Sequence, residues 1–226
     1  MKDLQANYSA IADEIRYYHS QILQQANRNS RVKEIYKGTH VLFSPLLYQP
    51  EFLLIGFNPG GGYYKWHGKI VENFEPMQAL EYYLNKHRLG EQTKGLFAMA
   101  GRTQDLERST VKINFYPWAT DNIADFKELM KLLPSDLSSK LFHLSRVWTK
   151  TIIELFQPKT IICEGFKAFE EVQVLFPNKI EASTEENFRS FQTSSGLRII
   201  GYKRNQGSIL NKEVISELNQ FKFLQL

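Results

Sequence analysis

The chain has 226 residues, 42% of them hydrophobic and 23% charged, with a net charge of +4. That balance excludes a disordered chain and a coiled coil, and it leans only mildly toward polyanionic partners. The single cysteine, Cys163, excludes an internal disulfide and a cysteine-clustered metal site. It follows the apolar run "TII" and reads as a buried structural thiol.

From the N-terminus, Leu4, Tyr8, Ile11, Ile15, Tyr18 and Ile22 recur at steps of four and three. They form one face of an amphipathic helix, within residues 1–28, packed on its own domain. Acidic and polar residues stand here where a signal peptide needs an apolar run. No segment approaches the ~18 apolar residues of a membrane helix, so a cytoplasmic protein with no membrane contact is expected. Residues 30–50 read as a short helix ending near Gly38, then a loop with Pro45 and Pro50. The run Phe52–Ile55 leads through Gly56 and Phe57 into the loop Asn58-Pro59-Gly60-Gly61-Gly62. Pro76 is placed to open a helix running to Gly90, a second helix follows Asp121 and stops before Pro134, and a third spans about Leu137 to Phe156. Three further apolar runs match the first: "VKINFYPWAT" (111–120), "KTIICEG" (159–165) and "LRIIGYKRNQGS" (197–208). The third passes into a helical pattern, "FKAFEEVQVLF", and the fourth into a last helix from about Asn211.

Strands buried on both faces and separated by helices predict an α/β fold, a mainly parallel sheet with helices on each side. No repeat or linker interrupts it, so residues 1–226 read as one domain. In such sheets ligands sit at the carboxyl ends of strands. All four ends here are chemically distinctive: "FNPGGG", "NFYPW", "CEGF" and "YKRNQGS".

Glycine at a strand end lets the backbone approach a ligand closely, and Pro59 stiffens the turn that presents Asn58. The Asn58 amide can orient a water or a planar base edge, although a tight structural turn has the same composition. The loop matches neither the dinucleotide fingerprint, which Pro59 interrupts, nor the phosphate loop, since no Gly-Lys-Ser/Thr follows. Asn114, between Ile113 and Phe115, suits the reading of a nucleobase edge, or serves as a satisfied core amide. The segment Lys203-Arg204-Asn205-Gln206-Gly207-Ser208 is basic, and residues 196–212 hold four Lys/Arg and no acid. It reads as a phosphate contact or a solvated charge run. Tyr63, Tyr64, Trp66 and Phe74 serve as stacking platforms or as a lid on the core. His67 and His87 lie nearest the presumed site without metal-ligand spacing, and solvated surface histidines are the default.

Together these segments resemble the uracil-DNA glycosylase superfamily over about residues 50–215. "GFNPGG" is similar to the Gly-x-Asn-Pro-Gly motif of its mismatch-specific and single-strand-selective branches. "INFYP" resembles the segment whose asparagine reads uracil, and "LSRVWTKTIIELFQPKTIICEG" the helix and third strand before the last motif. Where the family carries His-Pro-Ser this chain has "KRNQGS", so Lys203 or Arg204 stands where histidine is expected. The gap from Asn58 to Phe74 also exceeds the family's usual spacing to its stacking phenylalanine.

The resemblance implies a three-layer α/β/α sandwich around a mainly parallel four-stranded sheet. It implies hydrolysis of the N-glycosidic bond of a deaminated or damaged base in single- or double-stranded DNA, with no cofactor and no metal. Asn58 would position the water and Lys203 stabilise the departing base. Gly56, Phe57, Phe74 and Asn114 would hold that base, while Gly60, Gly61, Arg204, Asn205, Gln206 and Ser208 would contact the strand. A monomer is the expected state. The alternatives are a non-catalytic nucleic-acid or nucleotide-binding member of the fold, and a small-molecule hydrolase or transferase.

Overall fold

The computed structural model describes residues 2–60, 70–184, 186–205 and 208–209. Two compact units emerge, one from Met1–Leu42, Asn58–Pro76 and Asn114–Leu155, the other from Phe43–Phe57, Met77–Ile113 and Phe156–Leu226. Both are mixtures of helix and strand.

The second unit is built on a six-stranded mixed sheet. Its strands are β2 (Phe52–Gly56), β4 (Thr110–Asn114), β6 (Thr160–Cys163), β7 (Lys179–Thr184), β8 (Phe188–Thr193) and β9 (Arg198–Tyr202), in the order β4-β2-β6-β9-β8-β7. β2 runs parallel to β6, with Leu54 opposite Ile162, and β6 parallel to β9, with Ile162 opposite Ile200. The Phe52 amide donates to the Ser109 carbonyl, 3.2 Å, which aligns the starts of β2 and β4. The four apolar runs of the sequence are therefore neighbours. Beyond the four expected strands, the β7–β8 hairpin extends the sheet with antiparallel pairs. Its strands mix polar with apolar residues and lack a continuous hydrophobic run.

Alternation along each strand sends side chains to opposite faces. One face carries Phe52, Leu54, Ile162, Ile200 and Tyr202, which form a core with Leu80, Tyr82, Leu89, Leu96, Phe97 and Leu106. Those partners come from the helical stretch α3 (Glu81–Leu84), α4 (Arg88–Met99) and α5 (Thr103–Arg108) and its approach. Against the other face lies α8 (Phe166–Val174), whose Phe169 sits where a side chain on Gly201 would stand, 2.7 Å from a Cβ built there. Only glycine admits that contact. The single helix expected from Pro76 to Gly90 is instead two pieces. The chain breaks at Asn85, His87 caps α4 by accepting from the Gly90 amide at 3.2 Å, and Gly90 packs against the Tyr82 ring.

The first unit holds α1 (Lys2–Arg28), α2 (Ser30–Ile35), α6 (Ile123–Leu132), α7 (Ser135–Phe156) and a small sheet in which β1 (Gly38–His40) lies between β3 (Val71–Asn73) and β5 (Trp118–Ala119). The whole apolar stripe of α1, from Leu4 to Ile22, is buried. Two side-chain bonds tie the helix down: Tyr8 donates to the Phe74 carbonyl at 2.7 Å, and the Trp148 indole donates to Glu14 at 2.6 Å. β1 meets β3 so closely that a Cβ on Gly38, with φ of 128°, would stand 2.1 Å from the Val71 carbonyl. His19 and His40 are buried here, 2% and 1% exposed, against the default of solvated histidines. Among the described residues no helix is long and apolar enough to cross a membrane.

Candidate active site

In chain order the four matched strands are β2, β4, β6 and β9, so their order in the sheet is second, first, third, fourth. The order reverses between β2 and β6, and the crevice beyond the carboxyl ends at such a reversal is where open α/β sheets bind ligands. β2 ends at Gly56, and Asn58 follows two residues later. β4 ends at Asn114, β6 is followed at once by Glu164, and β9 by Lys203.

Asn58 is held by its amide nitrogen. Nδ2 donates to Thr120 Oγ1 at 2.9 Å, and lies 3.2 Å and 3.3 Å from the carbonyls of Pro59 and Trp118. Carbonyls only accept, so the amide has one orientation, with Oδ1 on the opposite side. Among the described residues nothing donates to that oxygen, and the side chain is partly exposed. The turn is fixed from the backbone as well, because the Thr120 amide donates to the Pro59 carbonyl at 3.2 Å and Gly60 bridges to Thr120. Asn114 is also partly exposed, and the pleat of β4 puts it on the face of Lys112. No described side chain or backbone group bonds its amide.

Gly56 and Phe57 are buried at the end of β2. Phe74 is a core residue of the first unit, 6% exposed, with the Arg16 guanidinium 4.6 Å from its ring centre and the His19 ring edge-on. Packing of α1 thus occupies the ring that the resemblance assigns to base stacking. Lys203 reaches Glu186 at 3.3 Å, both side chains in solvent. Arg204 lays its stem across Gly165, and its Nη1 is buried with no partner among the described residues. Gly61, Tyr63, Tyr64, Trp66, His67, Gln206 and the helix expected from Asn211 lie outside the described residues, as do the side chains of Asn205 and Ser208.

A second polar centre lies in the second unit. Lys112 Nζ stands 3.3 Å from Glu81 Oε2 and 3.5 Å from Glu164 Oε2, and above the Tyr82 ring at 4.7 Å. Tyr82 donates its hydroxyl to the other oxygen of Glu164. Burial, reinforced by Glu164, pushes the Tyr82 phenol well above its ordinary range and keeps it a donor. His87 Nδ1 accepts from Gly90, so Nε2 carries the proton and donates to Glu81 Oε1 at 2.9 Å. Glu164 is 2% exposed and Lys112 5%. Every oxygen of both carboxylates named here has a partner within the network. Cys163 is buried beneath it, its thiol raised by burial and by Glu164, which suits a structural residue.

The sequence held a signal for this network. Lys112 interrupts the apolar run of β4, and Glu164 directly follows "TIIC". Charges inside such runs must be paired when buried. Thr120, the partner of Asn58, carried no comparable signal. Among the described residues no three His, Cys, Asp or Glu side chains group closely enough to hold a metal. No family model matches the chain, and no curated protein sequence matches it.

Proposed function

We propose that this chain hydrolyses the N-glycosidic bond of a deaminated or damaged base in DNA, the activity its resemblance to the uracil-DNA glycosylase superfamily implies. One observation carries the reading: the Asn58 amide is pinned through its nitrogen, while among the described residues nothing donates to its oxygen, two residues past the end of β2. The proposal includes the finer fold, a three-layer α/β/α sandwich around mainly parallel strands. Parallel pairing of β2, β6 and β9, with helices against both faces, supports it.

The chemistry asks for little more than position. As the bond to the base breaks, positive charge grows on the sugar and the bonding pair leaves with the base. A water held by Asn58 Oδ1 adds to the sugar carbon, and its surplus proton passes to solvent, because an amide oxygen accepts a hydrogen bond but is no base. The immobile oxygen fixes one lone pair of that water toward the sugar, an entropic contribution made during folding. Asn114, whose amide has no partner among the described residues, reads the edge of a base extruded from the stack. Lys203, out in solvent beside Glu186, takes a phosphate contact here rather than the leaving base.

The test is a panel of single- and double-stranded oligonucleotides bearing uracil, hypoxanthine, xanthine or a thymine mismatch, incubated with the protein and cleaved with alkali. Strand scission at one modified base is the expected result. Intact strands throughout, at stoichiometric protein, would sink the reading.

A further inference from the structure

We propose that Thr120 is the positioning residue that holds Asn58 firmly with its oxygen toward the water, an inference that rests on the reading of Asn58 just given. Thr120 is wholly buried, and its single hydroxyl proton has one place to go: Oγ1 donates to the Asn122 carbonyl at 2.8 Å. With that proton committed, the hydroxyl offers Asn58 only lone pairs. It therefore accepts from Nδ2 and repels Oδ1. A β-branched side chain is stiff at χ1, so the lone pair is held in direction as well as identity.

Its anchor is firm in turn. Asn122 caps α6, its Oδ1 accepting from the Asp125 amide at 2.9 Å and its Nδ2 donating to the Asp125 carboxylate at 2.9 Å. The order thus runs from the start of a ten-residue helix, through Asn122 and Thr120, to the catalytic amide. Pro59 and Trp118 alone accept two N–H bonds at 3.2 Å and 3.3 Å, longer than the bond to Thr120. Without the hydroxyl, Asn58 keeps the two longer bonds to carbonyls, which favour the same orientation but hold it less firmly.

Thr120→Val replaces the hydroxyl by a methyl group of similar size. We expect single-turnover base excision to slow by about 10- to 100-fold, the cost of a misdirected group, with DNA Kd unchanged. Thr120→Ser keeps the hydroxyl and is expected to stay within about threefold of the parent, since it retains the interaction on which the effect depends. A second readout is independent of activity: the side-chain amide signals of Asn58 in a ¹⁵N-correlated NMR spectrum, identified by their loss in Asn58→Asp. They should exchange slowly with solvent in the parent and in Thr120→Ser, and fast and shifted in Thr120→Val.

Unchanged Asn58 signals in Thr120→Val overturn the inference, as does a changed signal with an unchanged excision rate. Loss of both properties in Thr120→Ser overturns it too. If Thr120→Val does not fold, Thr120→Cys, with its feeble acceptor, carries the same comparison. A parent protein that excises no base removes the proposed function, while the amide signals still decide what Thr120 does to Asn58.

Discussion

The two polar centres of this protein are built on opposite principles. Around Asn58 the bonds are neutral, the side chain is partly exposed, and one acceptor has no donor among the described residues. Around Lys112 the groups are charged and buried, and each finds its complement within the network. Charge density and burial would select the second as the active site. Unused hydrogen-bonding capacity is what the proposed function rests on at the first, and it is the property a substrate or a water requires. A closed network contributes to a unique packing; an incomplete one, rigidly held, is available for chemistry.

The largest expected effect breaks the closed centre. Lys112→Met leaves Glu81 and Glu164 facing each other with Glu164 only 2% exposed, at a cost of about 3–5 kcal/mol in urea unfolding. Adding Glu164→Gln to that variant should recover part of the loss, because one of the two like charges disappears. A cost under about 1 kcal/mol for Lys112→Met would mean that water already screens the network.

Asn58→Ala should act on rate rather than on stability. Excision should fall at least ~10²-fold, about 2.7 kcal/mol of barrier, while DNA binding and the thermal midpoint change little. Equal losses in binding and rate would mark Asn58 as a ground-state contact and dissolve the contrast with Lys112.

A titration sharpens the picture of the first unit. His19 Nδ1 lies 3.1 Å from Thr39 Oγ1 and 2.5 Å from the Tyr36 hydroxyl, and Nε2 is 2.9 Å from Glu72. Burial lowers the imidazole pKa, and Glu72 only partly offsets it. The unfolded chain therefore takes up the proton first. The stability this residue contributes is complete above about pH 6.5 and is lost as pH falls through the lower folded value. His19→Gln should flatten the stability profile between about pH 5 and 7, measured by unfolding at a series of pH values. A profile unchanged by the substitution would show that His19 does not govern that slope.

The smallest effect belongs to the surface. Lys203→Ala, which removes a solvent-facing partner of Glu186, should leave folding unaltered. It should lower the salt slope of DNA binding by about one unit, equally for every sequence. A loss confined to the cleavage step would return Lys203 to the leaving base.

Strongly periodic elements are legible in the sequence. The stripe from Leu4 to Ile22 gives α1, and the runs ending at Gly56, Asn114, Cys163 and Tyr202 give the four adjacent strands. Each signal is local, a burial pattern written into consecutive residues. The β7–β8 hairpin was not legible, because Phe188 and Phe191 face opposite sides of β8, whose other positions are polar, and β7 holds only Ile180 and Ala182 among polar residues. The break before α4 was hidden for a different reason: His87 caps it with a ring nitrogen, an uncommon acceptor at that position. Asn58 stood out through its proline and glycines, whereas Thr120 lies 62 residues away and is ordinary in its own segment. A hydrogen bond between distant segments leaves no periodicity to read.

The ends of the sheet order carry a consequence for behaviour in crowded solution. A strand at the margin of a sheet invites a foreign strand to continue the ladder. At one margin, the backbone of β4 is already engaged: the Phe43 amide donates to the Lys112 carbonyl at 2.9 Å, and the Ser44 hydroxyl accepts from the Lys112 amide at 3.1 Å. At the other, β7 shifts register between Ile180 and Ser183 and begins with Lys179. A newcomer pairing along β7 would meet the irregularity within a few residues and a charge at its start. The sheet thus resists growing sideways into fibrils, by occupation on one side and by irregularity on the other.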